Sequence, residues 1–123
     1  MLGSCEVIVF VAITKPDRAL SFYRDTLGLA LIADEPFALV FDAHGTMLRI
    51  QKVAEVPPVP YTVLGWKVKA LRPTVEQLMR RGVKLEHFPG LGQDKVGIWA
   101  APGGALVAWF RDPDGNLLSL TQF

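Results

Sequence analysis

The order strand, helix, strands occurs twice in this chain, and that repetition limits the folds open to it. Glu6 to Ile13 (EVIVFVAI) is a continuous apolar, β-branched run, the pattern of a strand buried on both faces. Pro16 and Asp17 suit the first turn of a helix. Ala19, Leu20, Tyr23 and Leu27 then recur at helical spacing, and Gly28 supplies a stop, so a helix is expected over Pro16 to Leu27. Three strand-like runs follow, Leu29 to Ala33, Phe37 to Asp42 and Thr46 to Val53. Pro36 separates the first two, and Ala43-His44-Gly45 joins the last two as a short hairpin loop. The order then returns. Tyr61 to Ala70 reads as a strand, and Pro73 opens a helix through Arg81 with Val75, Leu78 and Met79 on one face. Thr74 and Gln77 have capping-box spacing, and Gly82 is the stop. Val83 to Phe88, Val96 to Ala100, Ala105 to Arg111 and Leu117 to Gln122 read as strands. The two glycine stops are 54 residues apart (82 − 28).

A repeat of that length points to a duplicated supersecondary unit. One sheet with one helix cannot cover both its faces, so two such units are expected to combine. The expectation is an α+β fold of two paired βαβββ modules. Eight of the nine runs would form a curved mixed sheet around a concave cavity, with the helices outside. The first module is placed at 1–54, a linker at 55–60 and the second module at 61–123. Glu55 to Pro60 (EVPPVP) cannot continue a central strand and reads as an extended connector. The final hairpin has a turn of forced geometry: Pro113 fixes one backbone angle, Asp114 can bond its own backbone, and Gly115 accepts a positive φ. A ferredoxin-like domain would need only four strands.

Composition removes several function classes. The 13 basic and 12 acidic residues are interspersed and leave a net charge of +1, so neither nucleic acid nor an anionic membrane is an expected partner. Half the residues are hydrophobic, yet no run approaches the length of a membrane span, and Met1 to Ser4 lacks the features of a signal peptide. The single Cys5 cannot form an internal disulfide. A cytoplasmic location is the expectation that agrees with these features.

Two stretches carry a family resemblance. Arg18-Ala19-Leu20-Ser21-Phe22-Tyr23-Arg24-Asp25-Thr26-Leu27-Gly28-Leu29 resembles the first helix of the vicinal oxygen chelate superfamily, which ends in FY…LG. Asp112-Pro113-Asp114-Gly115-Asn116 resembles that superfamily's last hairpin. The superfamily includes glyoxalase I, extradiol dioxygenases, and bleomycin- and fosfomycin-resistance proteins. The resemblance implies paired βαβββ modules, a homodimer and a small-molecule ligand. In the family's enzymes it also implies one divalent metal held by His, Gln or Glu from the first and last strands of each module. Counted from the two motifs, those positions fall here at Ile8, Arg49 (Gln51 being the alternative), Val63 and Ser119. Isoleucine and valine offer no donor and arginine would repel the cation. Neither a metal nor another cofactor is therefore expected.

The remaining candidates follow from chemistry and parity. Arg49 alternates with Leu48 and Ile50 and, turned into a cavity, would bind a carboxylate, phosphate or enolate bidentately; otherwise it is an exposed or ion-paired arginine. Gln51 shares its face. Ser119 offers a weak hydrogen bond. Trp99 and Trp109 stand between stacking on a planar ligand and packing in the core. Phe10 and Phe41 carry the same ambiguity with core favoured, and Trp66 reads as core. His87 alternates with Val83 and Leu85, as a structural histidine or a general base. The glycines do not form a phosphate loop. These features favour a metal-free binding protein of the glyoxalase/bleomycin-resistance type, whose ligand is apolar or aromatic, and anionic where Arg49 engages it. The alternative is a lyase, isomerase or dioxygenase that uses a displaced metal site or metal-free acid–base chemistry through His87 and Arg49. A structural or regulatory dimer without a ligand is the third reading.

Overall fold

A computed structural model describes all residues, 1–123. The chain divides into two compact units, Met1–Pro57 and Pro58–Phe123. In the first unit the order is β1 (Ile8–Ile13), α1 (Pro16–Leu20), β2 (Ala30–Asp34), β3 (Ala38–Ala43) and β4 (Thr46–Lys52). The second contains β5 (Leu64–Lys67), α2 (Leu71–Arg80), β6 (Trp99–Ala100), β7 (Leu106–Arg111) and β8 (Leu117–Gln122). The eight strands lie in two four-stranded sheets, ordered β1-β4-β3-β2 and β5-β8-β7-β6. Each is mixed: β1 runs parallel to β4 and β5 parallel to β8, and the other pairs are antiparallel. Neither sheet closes on itself. The fold is α+β, and a parallel pair of this kind needs a crossover, which the helix after the first strand begins.

Local chemistry accounts for most boundaries. Pro16 opens α1 at its first position, and the helix continues as a π-helical segment over Ser21–Thr26 before Gly28 turns the chain at φ +78°. The β3–β4 hairpin has a two-residue loop in which His44 (φ 52°) and Gly45 (φ 89°) both adopt positive φ. This is the turn whose twist matches paired strands. Between β2 and β3 the register slips around Ile32, so that Leu31 faces Phe41 but Ala33 faces Val40.

The second helix begins two residues before Pro73, at Leu71. Its first backbone N–H donates to the Gln122 side chain at 2.8 Å, so the cap comes from the far end of the unit. Thr74 does not build the capping box its spacing suggests, because its hydroxyl donates back to the Ala70 carbonyl at 2.9 Å. Val83 to Phe88 is not a strand. Leu85 alone bridges Phe110, beside a Glu86 N–H bond to the Trp109 carbonyl, while Trp99–Ala100 pairs farther along the same strand. Two short pieces thus share the edge along β7, and neither is long enough to form a full strand.

In the first unit the core face of the sheet carries Val11, Ile13, Leu39, Phe41, Leu48 and Ile50, all buried, with Ala19 and Tyr23 from the helical segment. The Tyr23 and Phe41 rings lie 6.1 Å apart. In the second unit Ala108, Phe110, Leu118 and Leu120 are buried with Leu71, Val75 and Leu78 of α2. Trp66 joins this face, stacked 6.4 Å from Phe110. The last hairpin is closed by one carboxylate. Asp112, buried, accepts hydrogen bonds from the backbone N–H of Asp114 and Asn116 at 2.9 Å and from the Asn116 amide at 2.8 Å.

Two substitutions check this account. Phe41→Ala is expected to cost about 3–5 kcal/mol, while Phe10→Ala, on the exposed face, costs under about 1 kcal/mol; urea unfolding of both distinguishes core from surface. Asp112→Ala strands three donors and is expected to cost about 2–3 kcal/mol in the same measurement, with Asp112→Asn intermediate.

Candidate functional site

The faces of the two sheets opposite their helices carry the candidate residues. In the first unit, strand register places Ile8 beside Met47, which lies beside Asp42. It also sets Phe10 beside Arg49 and Ala12 beside Gln51. Ala38 and Val40 on this face are buried. The large apolar side chains are not: Val7, Ile8, Phe10, Ile32 and Met47 are between 42 and 70% exposed. A pocket of about 430 Å³ opens among them, lined by Glu6, Val7, Ile8, Ile32, Asp42 and Met47, with Ala30, Val40, Phe41 and Gly45 completing its wall.

Arg49 and Gln51 share one open face, as their spacing suggested, and strand pairing adds Phe10 to it. Phe41 does not join them: its side chain is fully buried against Tyr23 on the helix side. Phe10, read as favouring core, is 52% exposed. Arg49 is already engaged, its Nη2 lying 2.9 Å from Glu35 Oε1. Lys52 is held in the same way, 2.6 Å from Asp34 and 2.8 Å from the Glu35 carbonyl.

In the second unit, Ser119 lies between Gly65 and Trp109 across adjacent strands. A Cβ added at Gly65 would stand 2.7 Å from Ser119 Oγ, so glycine leaves the hydroxyl its room. Trp109 meets Phe88 edge-on at 5.5 Å and Trp99 at 6.0 Å, and both tryptophans are half-buried. This face thus gathers Trp99, Trp109 and Ser119, while Trp66 turns to the helix side. His87 is exposed rather than on a buried face.

The segment after His87 is held by two side chains whose roles were not read from the sequence. Gln93 accepts from the Phe88 N–H at 2.7 Å and donates to the carbonyls of Glu86 (2.9 Å) and Gly97 (2.7 Å). Asp94 accepts from the N–H groups of Val96 and Ile98 and pairs with Arg72 at 2.5 Å. Burial works against the Asp94 charge. The Arg72 guanidinium and the two backbone donors outweigh it and hold the carboxyl below its ordinary value. No residue pattern marks Gln93, whose partners are backbone groups on either side of it, while Asp94 has a local signature, since its backbone donors lie two and four residues on; only its Arg72 partner is set by the fold. The pocket lining was partly legible: Met47 stands two residues from Arg49 on the same strand, hence on its face.

The donor set does not fit the metal that the resemblance implies. Ile8 and Val63 carry no donor, Arg49 is cationic, and Ser119 and Gln51 offer only neutral oxygens. No three His, Cys, Asp or Glu side chains come together as a metal-binding group.

Two units of strand, helix and three sheet-forming segments, each with its first and last strands parallel, define the class of the fold. Residues 7–120 match the profile of the Glyoxalase/Bleomycin resistance protein/Dioxygenase superfamily, and the chain belongs to that superfamily. It is 28% identical over 118 residues to YraH of Bacillus subtilis (strain 168), described as an uncharacterized protein, covering 84% of this chain and 86% of that one. Among solved structures it resembles a member of the same superfamily from Sphaerobacter thermophilus DSM 20745, with a TM-score of 0.77, 21% identity and 100% of both chains covered. It also resembles the fosfomycin resistance protein FosX of Listeria monocytogenes, with a TM-score of 0.77, 13% identity, and 98% of this chain and 93% of that one covered. At these identities the structural likeness concerns the fold. No helix is long and apolar enough to cross a membrane.

Replacing Arg72 by alanine is expected to raise the Asp94 pKa toward its ordinary value in an NMR titration. Because the folded value is depressed, the linked stability is complete above the ordinary carboxylate value and is lost as pH falls through the folded one. Arg72→Ala should shrink that acid-sensitive part.

Proposed function

We propose that this protein binds a small organic molecule without a metal, in the manner of the glyoxalase/bleomycin-resistance type, and that the ligand has an apolar or aromatic body. The observation that supports this most is the pocket of about 430 Å³ in the open face of the first sheet, walled by exposed Ile8, Ile32 and Met47. Its volume lies within the range of about 300–1,000 Å³ common for small-molecule sites. The donor-poor residues at the family's metal positions agree with it. Trp99 and Trp109 supply an aromatic face in the second unit on which a planar group can stack.

An anionic ligand at Arg49 would have to compete with Glu35, so charge there is already balanced within the chain. Residues 1–54 and 61–123 act in this proposal as two modules joined by the proline-rich segment, and the working form is a homodimer in the cytoplasm. Phe37, 80% exposed, is apolar surface that a second copy would cover.

The test combines metal analysis with ligand titration. After incubation with Mn, Fe, Co, Ni or Zn and removal of the excess, the protein is expected to retain far less than one metal per two chains. Stoichiometric retention would overturn the metal-free reading. A panel of planar and aliphatic compounds followed by tryptophan fluorescence and amide NMR should then shift pocket residues. Absence of any saturable shift would count against ligand binding, and light scattering reads the dimer.

A further inference from the structure

We infer that the pocket in the first unit is selective for a small lipophilic cation, an amine or quaternary ammonium carried on an apolar body; this rests on the small-molecule reading above and adds the sign of the ligand's charge. Val7, Ile8, Ile32 and Met47 give the pocket its apolar walls. Its charged lining residues are Glu6 and Asp42, and no Lys, Arg or His is among the lining. Neither carboxylate belongs to an ion pair. Asp42 uses one oxygen, Oδ1, to accept the Gly45 N–H at 3.1 Å, which leaves its charge uncompensated.

The nearby cations are committed elsewhere. Arg49, one step along β4 from Met47 on the same face, pairs with Glu35, and Lys52 pairs with Asp34. Both carboxylates are exposed, so the field at the pocket is that of two solvent-screened negative charges with no cation partner beside apolar surface, a modest but one-signed bias. An anion entering would lose hydration and meet repulsion. A neutral apolar group would gain burial alone. A cation with an apolar body gains both burial and Coulomb attraction, and the polarizable thioether of Met47 suits a soft organic cation.

Two probes of similar body and opposite charge test the inference: benzyltrimethylammonium and phenylmethanesulfonate, titrated into the full chain and followed by amide NMR. The ammonium is expected to shift residues around Ile8, Ile32 and Met47 and to bind about tenfold more tightly than the sulfonate. The double variant E6Q/D42N, checked for unchanged unfolding temperature, should lose about five- to tenfold of the ammonium affinity and gain none for a neutral ligand. Equal or tighter sulfonate binding at the same residues would overturn the charge preference while leaving small-molecule binding in place. An unchanged ammonium affinity in the double variant would overturn it as well. No shift at the pocket from either probe at millimolar concentration would count against both readings.

Discussion

In each unit the first strand lies parallel to the last, β1 against β4 and β5 against β8. Everything else about the unit depends on that contact. A parallel pair cannot be closed by a tight turn, so the chain must leave the sheet, cross it as a helix, and return. The helix then covers one face, which sorts each strand into covered and uncovered residues at a period of two. Ile13, Leu48 and Ile50 go to the covered side, and Ile8, Phe10, Met47 and Arg49 to the other. The candidate site is the remainder of this sorting: it is what the helix does not cover.

The two uncovered faces are chemically unlike. The first is aliphatic with carboxylates at its margin, and its arginine is already paired. The second is aromatic, with Trp99 and Trp109 in contact and a serine beside a glycine. Two units with the same order of elements therefore do not carry two copies of one site. The edge along β7, divided between Leu85 and Trp99–Ala100, shows the same divergence at the level of the backbone.

The fold was legible because its signals are local. Pro16, the glycines at 28 and 82, the His44-Gly45 turn and the Asp112–Asn116 loop all act within a few residues, and the apolar runs carry their own period. Strand parity likewise grouped Arg49 with Gln51. What it could not supply was the partner of a side chain. Glu35 reaching Arg49 and Gln122 capping α2 are contacts across the sequence, and Gln93 ties three backbone groups within its own segment; each depends on where the backbone has already gone. Phe41 and Phe10 show the same limit. Both are aromatic strand residues with the same apparent preference, and only the strand register separates a buried ring from an exposed one. The loss of the expected strand at Val83 to Phe88 has a similar cause, since its sequence favours extension but β7 offers it only one bridge.

The slip in register between β2 and β3 leaves Ile32 without an opposing residue, and it is this residue that stands 64% exposed at the pocket wall. A wall residue that no cross-strand neighbour constrains can change its size or polarity while the pairing on either side of it stays intact. The size and polarity of that wall are thereby uncoupled from folding, and the bulge is a position at which the lining of the pocket can change by single substitutions without loss of the sheet.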